Sequence, residues 1–134
     1  MRWIELGLAL WVAGFAGNIY HDDELRELRR SSLKEQRQKA NAEGVKSEAS
    51  VDKVYKIPQA ALFQYILYPH YLCEWFEWLG YWMIGGPSCA PAGNFLLNEV
   101  ATMLPQARLG RKWYIQRFGR QKIGSRKAII PGLF

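Results

Sequence analysis

Two sets of polar residues sit at helical spacing beside or within apolar surroundings. The first is Asn18, Asp22, Arg26 and Arg29. Steps of four, four and three place them on one face of a helix. The stripe starts in an apolar segment and climbs out of it. Such a line could follow a ligand with a polar ring at depth and charged phosphates near the surface. It also suits, and by itself better suits, an ordinary solvated helix in which Asp22 and Arg26 pair. The second set is His70, Glu74 and Glu77, at steps of four and three. Their neighbours are Ile66, Leu67, Tyr71, Leu72, Trp75, Phe76 and Trp78. A carboxylate among such residues is costly unless paired or used. Its alternatives are a helix lying at an interface with its acids in water, and a metal site. The cluster has no HExxH and no second His, which argues against the metal.

No GxGxxG and no GxxxxGK[ST] occurs, so a dinucleotide would not be held in the soluble Rossmann manner. The net charge is +6, and it is unevenly spread. From Gln106 to Phe134 there is no Asp or Glu, while Arg108, Arg111, Lys112, Arg117, Arg120, Lys122, Arg126 and Lys127 are all basic. A tail of one sign calls for an anionic partner: a nucleotide phosphate, lipid headgroups or nucleic acid. No nucleic-acid-binding motif accompanies it, so the reading is no nucleic acid. Cys73 and Cys89 form neither CxxC nor a zinc spacing and read as buried thiols.

These residues must be positioned by helices. The chain has 134 residues, enough for one domain, and 49% of them are hydrophobic, too many for a disordered chain. Trp3 to Tyr20 is apolar apart from Glu5 and Asn18. Its length just suffices for a thinned bilayer. Charged helix follows to Lys39, and then a mobile loop through Glu43, Gly44 and Ser47 to Ser50. Pro58 forces an extended entry to the next segment. Ala60 to Ile84 reads as a long aromatic helix, kinked or broken at Pro69. Gly85-Gly86-Pro87 breaks the chain within a run of 21 residues, Trp78 to Asn98, that has no charge. Ala90 to Leu104 is a further apolar segment, and Pro105 opens the basic tail. The last residues, from Ala128 on, are expected to tuck back against the protein. The resulting expectation is an all-α integral membrane bundle of three to four hydrophobic helices, with a cytosolic loop and a basic tail.

Three blocks resemble the steroid 5α-reductase family. They are Gly17-Asn18-Ile19 with Asp22 and Arg29; Tyr55-Lys56-Ile57-Pro58, continuing to Pro69-His70-Tyr71, Glu74 and Glu77-Trp78-Leu79-Gly80-Tyr81; and Lys112-Trp113-Tyr114 with Ser125-Arg126-Lys127-Ala128-Ile129-Ile130-Pro131. They stand in the family's order and cover nearly the whole chain. The resemblance implies a multi-pass enzyme of the endoplasmic reticulum membrane, with its loop and tail facing the cytosol. It implies NADPH as cofactor and a steroid or related lipid as substrate. Hydride goes to the β-carbon of an α,β-unsaturated ketone and a proton to the α-carbon. The cofactor contacts it implies are Asn18, Asp22, Arg29, Tyr55, Lys56, His70, Glu74 and Tyr114. Arg26 joins this set from the face it shares with Asp22 and Arg29. Three departures are visible. No match exists for the family's N-terminal part, which supplies a Tyr and a Glu to the substrate carbonyl. That makes residues 1–134 a single C-terminal-like domain, its complement a missing partner, or else a truncated, inactive member. A His common in the basic region is replaced by Gly110. The loop from Arg30 to Asp52 is longer than in the animal enzymes.

Overall fold

A computed structural model describes residues 2–42 and 55–133 of the chain. The expected mobile loop falls largely outside the described residues. The four helices are α1 (Arg2–Ala42), α2 (Pro69–Gly85), α3 (Ala90–Phe118) and the short α4 (Arg120–Ile123), with a 3₁₀ turn at Ala61–Gln64. The described residues form no strand, only one isolated parallel bridge between Ile66 and Lys127. The all-α expectation therefore holds.

Helix α1 runs 41 residues without a break. Beyond Gly17 it has no Gly or Pro, and its second half is built from Leu, Glu, Arg, Lys and Gln, all good helix formers. Asp22 and Arg26 pair at 2.8 Å, as the four-residue step suggests. Both side chains are well exposed, so the pair adds little stability.

Two expected boundaries change. Pro69 does not kink a long helix; it is the first residue of α2. At that position the missing N–H has no intrahelical partner to lose, and the ring pre-sets φ. Residues 60–68 are held instead by the chain's own C-terminal segment. Leu67 and Tyr68 donate to the carbonyls of Lys127 and Ala128, each at 2.9 Å, and Lys127 donates back to Tyr65 at 3.0 Å. The second change is at Pro105, which lies inside α3. A single lost hydrogen bond does not stop a helix of 29 residues, so the apolar segment and the start of the basic tail are one element. The break at Gly85-Gly86-Pro87 stands: Gly86 takes φ 82, a left-handed conformation that favours glycine. The tail tucks back as expected, with Ala128 and Ile129 buried against Ala107.

Helices α1 and α2 run antiparallel and touch backbone to backbone. A Cβ on Gly14 would meet the backbone of Glu77 and lie 2.6 Å from the carbonyl oxygen of Cys73. A Cβ on Gly80 would lie 2.5 Å from the carbonyl oxygen of Gly7 and from the amide nitrogen of Trp11. Helix α2 packs its other side on α3, where the Trp78 and Phe95 rings stand 4.1 Å apart.

Large apolar side chains stay exposed at one end of the bundle: Trp3, Ile4, Leu6, Leu8, Val12 and Phe15 on α1, and Phe95 and Leu97 on α3. Among the described residues no helix is long and apolar enough to cross a membrane. The physical reasons differ by helix. Helices α1 and α3 each pass from an apolar to a charged half, and α2 has only 17 residues, roughly 26 Å of rise against a core of about 30 Å.

The contact at Gly14 yields a prediction. Alanine is the better helix former, so propensity alone would make Gly14→Ala stabilising. Overlap with the α2 backbone should reverse the sign and cost about 1–3 kcal/mol, seen as a lower melting temperature by circular dichroism. An unchanged or raised melting temperature would refute the close contact.

Candidate functional site

The charged end of the bundle holds a cavity of about 290 Å³ between α1 and α3, beside the start of α2. Leu25, Leu28 and Arg29 face it from α1, and Trp113 and Tyr114 from α3. Tyr55, Lys56, Leu67 and Tyr68 come from the segment before α2, and His70 and Tyr71 from its first turn. Four stretches distant in sequence thus meet at one place.

Each stretch has a local reason for its position. Lys56 is drawn to α1 by Glu35, at 2.7 Å. This ion pair and its hydrogen bond lower the Glu35 pKa. Arg126 donates to the carbonyl of Pro58 at 3.3 Å and to Oε1 of Gln59 at 2.6 Å, while Arg111 donates to the carbonyl of Arg126 at 2.9 Å. The C-terminal block is therefore a clasp: it ties residues 58–68 to α3. On the outer rim the Tyr55 and Trp113 rings meet edge to face at 4.9 Å, and the Arg117 guanidinium lies over both. On the inner wall Tyr68 stacks on Tyr71 at 5.2 Å, and His70 meets Tyr71 at 4.6 Å.

The lining holds two cations, Arg29 and Lys56, and no carboxylate. His70 is kept neutral. Burial is the main reason and His21 and Arg29 add to it, against the opposing pull of Asp22; together they bring its pKa down to about 4. Its Nδ1 is buried with no hydrogen-bond partner among the described residues. A buried imidazole nitrogen without a partner carries a free-energy cost that a ligand could remove. Burial also raises the Tyr114 pKa, although Arg29 acts against it. Neutral hydrogen-bonding groups, two cations and flat aromatic walls can hold an anionic ligand that carries planar rings. A second cavity, of about 380 Å³, is lined by Arg108, Arg111, Lys112 and Lys127 with Ala128 and Leu133. It has neither aromatic walls nor the imidazole.

Of the nine residues expected from the sequence, Arg29, Tyr55, Lys56, His70 and Tyr114 line the cavity. Asn18, Asp22, Arg26 and Glu74 do not. Asp22 and Arg26 pair with each other on α1. Asp22 is still close enough to act on the charge of His70. Burial raises the Tyr71 pKa, and Glu74, one turn along α2, adds to it. Among the described residues no group of three His, Cys, Asp or Glu could hold a metal ion. Sequence reasoning missed Tyr68, Tyr71, Leu25 and Leu28 as lining residues. Leu25 and Leu28 share the face of Arg29 and were legible by spacing; Tyr68 precedes the helix, so no periodicity marks it.

A profile of the 3-oxo-5-alpha-steroid 4-dehydrogenase family matches residues 2–134. The chain belongs to this family. An uncharacterised protein of Schizosaccharomyces pombe is 44% identical over 128 residues, covering 96% of this chain and 44% of that protein. A steroid 5-alpha-reductase of Solanum lycopersicum is 33% identical, covering 98% of this chain and 44% of its own length. A 3-oxo-5-alpha-steroid 4-dehydrogenase of Macaca fascicularis is 30% identical, covering 96% and 41%. The chain thus spans less than half the length of these relatives.

The His70 environment makes stability depend on pH. Its folded pKa, about 4, lies below the ordinary histidine value of 6.5, so the unfolded chain binds the proton more readily between these values. The contribution is present above about pH 6.5 and is lost as the pH falls toward 4. Subtracting the melting profile of His70→Asn from that of the native chain should isolate a decline in this window. Parallel profiles would refute it.

Proposed function

We propose that this chain is the cofactor-binding part of a membrane oxidoreductase that uses NADPH to reduce the C=C bond of an enone steroid or related lipid. The observation that carries the reading is the cavity that gathers Arg29, Lys56, Tyr55, His70 and Tyr114 from separate stretches of the chain. Membership of the family supplies the reaction class.

NADPH, when bound, supplies the hydride for reduction of the double bond. The protein's part is binding and orientation. Arg29 and Lys56 hold anionic groups, Lys56 being anchored from outside the lining by Glu35 at 2.7 Å. Tyr55, Trp113 and Tyr114 offer flat surfaces to aromatic rings. The partnerless Nδ1 of His70 would hydrogen-bond a polar group of the ligand. Because His70 is uncharged at neutral pH, it does so without adding a buried charge.

The membrane reading is supported by the apolar end of the bundle. Side chains such as Leu6, Leu8 and Leu97 are more than half exposed there, and a surface of that kind needs a lipid or protein cover. The charged second half of α1 and the basic half of α3 lie at the other end, with the cavity. We place the apolar end in the endoplasmic reticulum membrane and the cavity at its cytosolic boundary, where a soluble cofactor can enter.

Titration of the detergent-solubilised chain with NADPH, against NADH as control, tests the reading. Saturable binding that prefers NADPH and weakens about tenfold or more in Arg29→Ala and Lys56→Ala is expected. Arg30→Ala, which removes a cation outside the cavity, should bind as the native chain does. Absence of binding by a folded, helical preparation would overturn the proposal and favour a member of the family that keeps the fold without the cofactor.

A further inference from the structure

Tyr68 is fixed through both its backbone and its ring. Its backbone N–H is bound to Ala128 at 2.9 Å, and its carbonyl accepts from the Tyr71 amide at 3.2 Å. Its ring stacks on Tyr71 with 23° between planes, and lies 5.8 Å from His70 and 6.4 Å from Tyr114. The phenol crosses to α3 and ends on Gly110. A Cβ built there would overlap the hydroxyl oxygen and lie 2.5 Å from Cζ.

Glycine in mid-helix is unfavourable, so Gly110 needs a reason. Backbone conformation is not the reason: among the described residues the glycines with positive φ are Gly86, Gly119, Gly124 and Gly132. The space that Tyr68 occupies is. The position also bears on binding, because Tyr68 lines the cavity with Arg29, Lys56 and His70.

We infer that Tyr68 and Gly110 are a matched pair: the glycine admits the phenol, and the Tyr68 hydroxyl donates a hydrogen bond to an acceptor oxygen of the bound nucleotide. The pairing of the two residues stands on the geometry alone, whereas the ligand rests on the NADPH reading above. Burial, aided by Tyr114 and Tyr71, raises the Tyr68 pKa, so the group is a neutral donor at physiological pH. On this account the wall of α3 contributes no side chain at position 110. A residue from the neighbouring segment supplies its polar group instead.

Two measurements on the full chain in detergent separate these parts. The first is melting without any ligand. Gly110→Ala should lower the melting temperature in the native background but leave it unchanged or raised in a Tyr68→Ala background. Equal effects in both backgrounds would overturn the pairing. The second is NADPH affinity. Tyr68→Phe keeps the ring and removes the hydroxyl, so it should melt like the native chain yet bind about three- to tenfold more weakly. Undiminished affinity would overturn the role of the hydroxyl. A native chain that does not bind NADPH would sink the functional reading and the hydroxyl's role with it, while the melting comparison would still decide the pair.

Discussion

Where α1 meets α2, backbone meets backbone, and the rest of the site depends on that contact. Gly7 and Gly80 face each other, and Gly14 lies against Cys73 and Glu77. A side chain at Gly14 or Gly80 would force the helices apart, whereas glycine permits dense packing without large apolar residues between them. The contact also sets the register. Two antiparallel helices with one permitted alignment bring the charged half of α1 past the start of α2, so that Arg29 and Asp22 both act on His70. A slip of one turn would carry Arg29 away from the imidazole.

The second constraint is the clasp made by the C-terminal segment. Residues 126–128 bind the 58–68 stretch through backbone carbonyls and amides, and through the guanidinium of Arg126. Ala128 and Ile129 then fill the small core against Ala107. This accounts for two blocks distant in the chain, Tyr55-Lys56-Ile57-Pro58 and Arg126-Lys127-Ala128-Ile129: each is half of one joint. Basic residues that read as a solvated tail are divided by it. Arg111 and Arg126 serve as structural donors, while Lys112 and Arg120 face outward.

The cavity follows from these two joints. Its cations come from elements that the joints bring near each other, and its aromatic walls come from residues on both sides of α2's first turn. Burial, which outweighs the opposing pull of Asp22, keeps His70 uncharged, and burial keeps Tyr68 and Tyr114 protonated. The cations of the lining are Arg29 and Lys56, the latter paired with Glu35, and the other polar groups can offer hydrogen bonds without adding charge.

The amino-acid sequence by itself determined the helical class, the break at Gly85-Gly86-Pro87, the shared face that carries Arg29, and the family to which the blocks belong. These are local properties: propensity, period, turn chemistry and ordered motifs act over a few residues. The tertiary structure decided the rest. Whether Pro69 kinks a helix or starts one depended on hydrogen bonds donated by Leu67 and Tyr68 to the carbonyls of Lys127 and Ala128, about sixty residues away. Whether a residue on the Asn18–Arg29 face reaches the cavity depended on where α1 passes the start of α2; only Arg29 of the four does. The partnership of Tyr68 with Gly110 was invisible in the sequence, because a glycine chosen for another residue's bulk leaves no periodic trace, and the two meet only once the helices have packed.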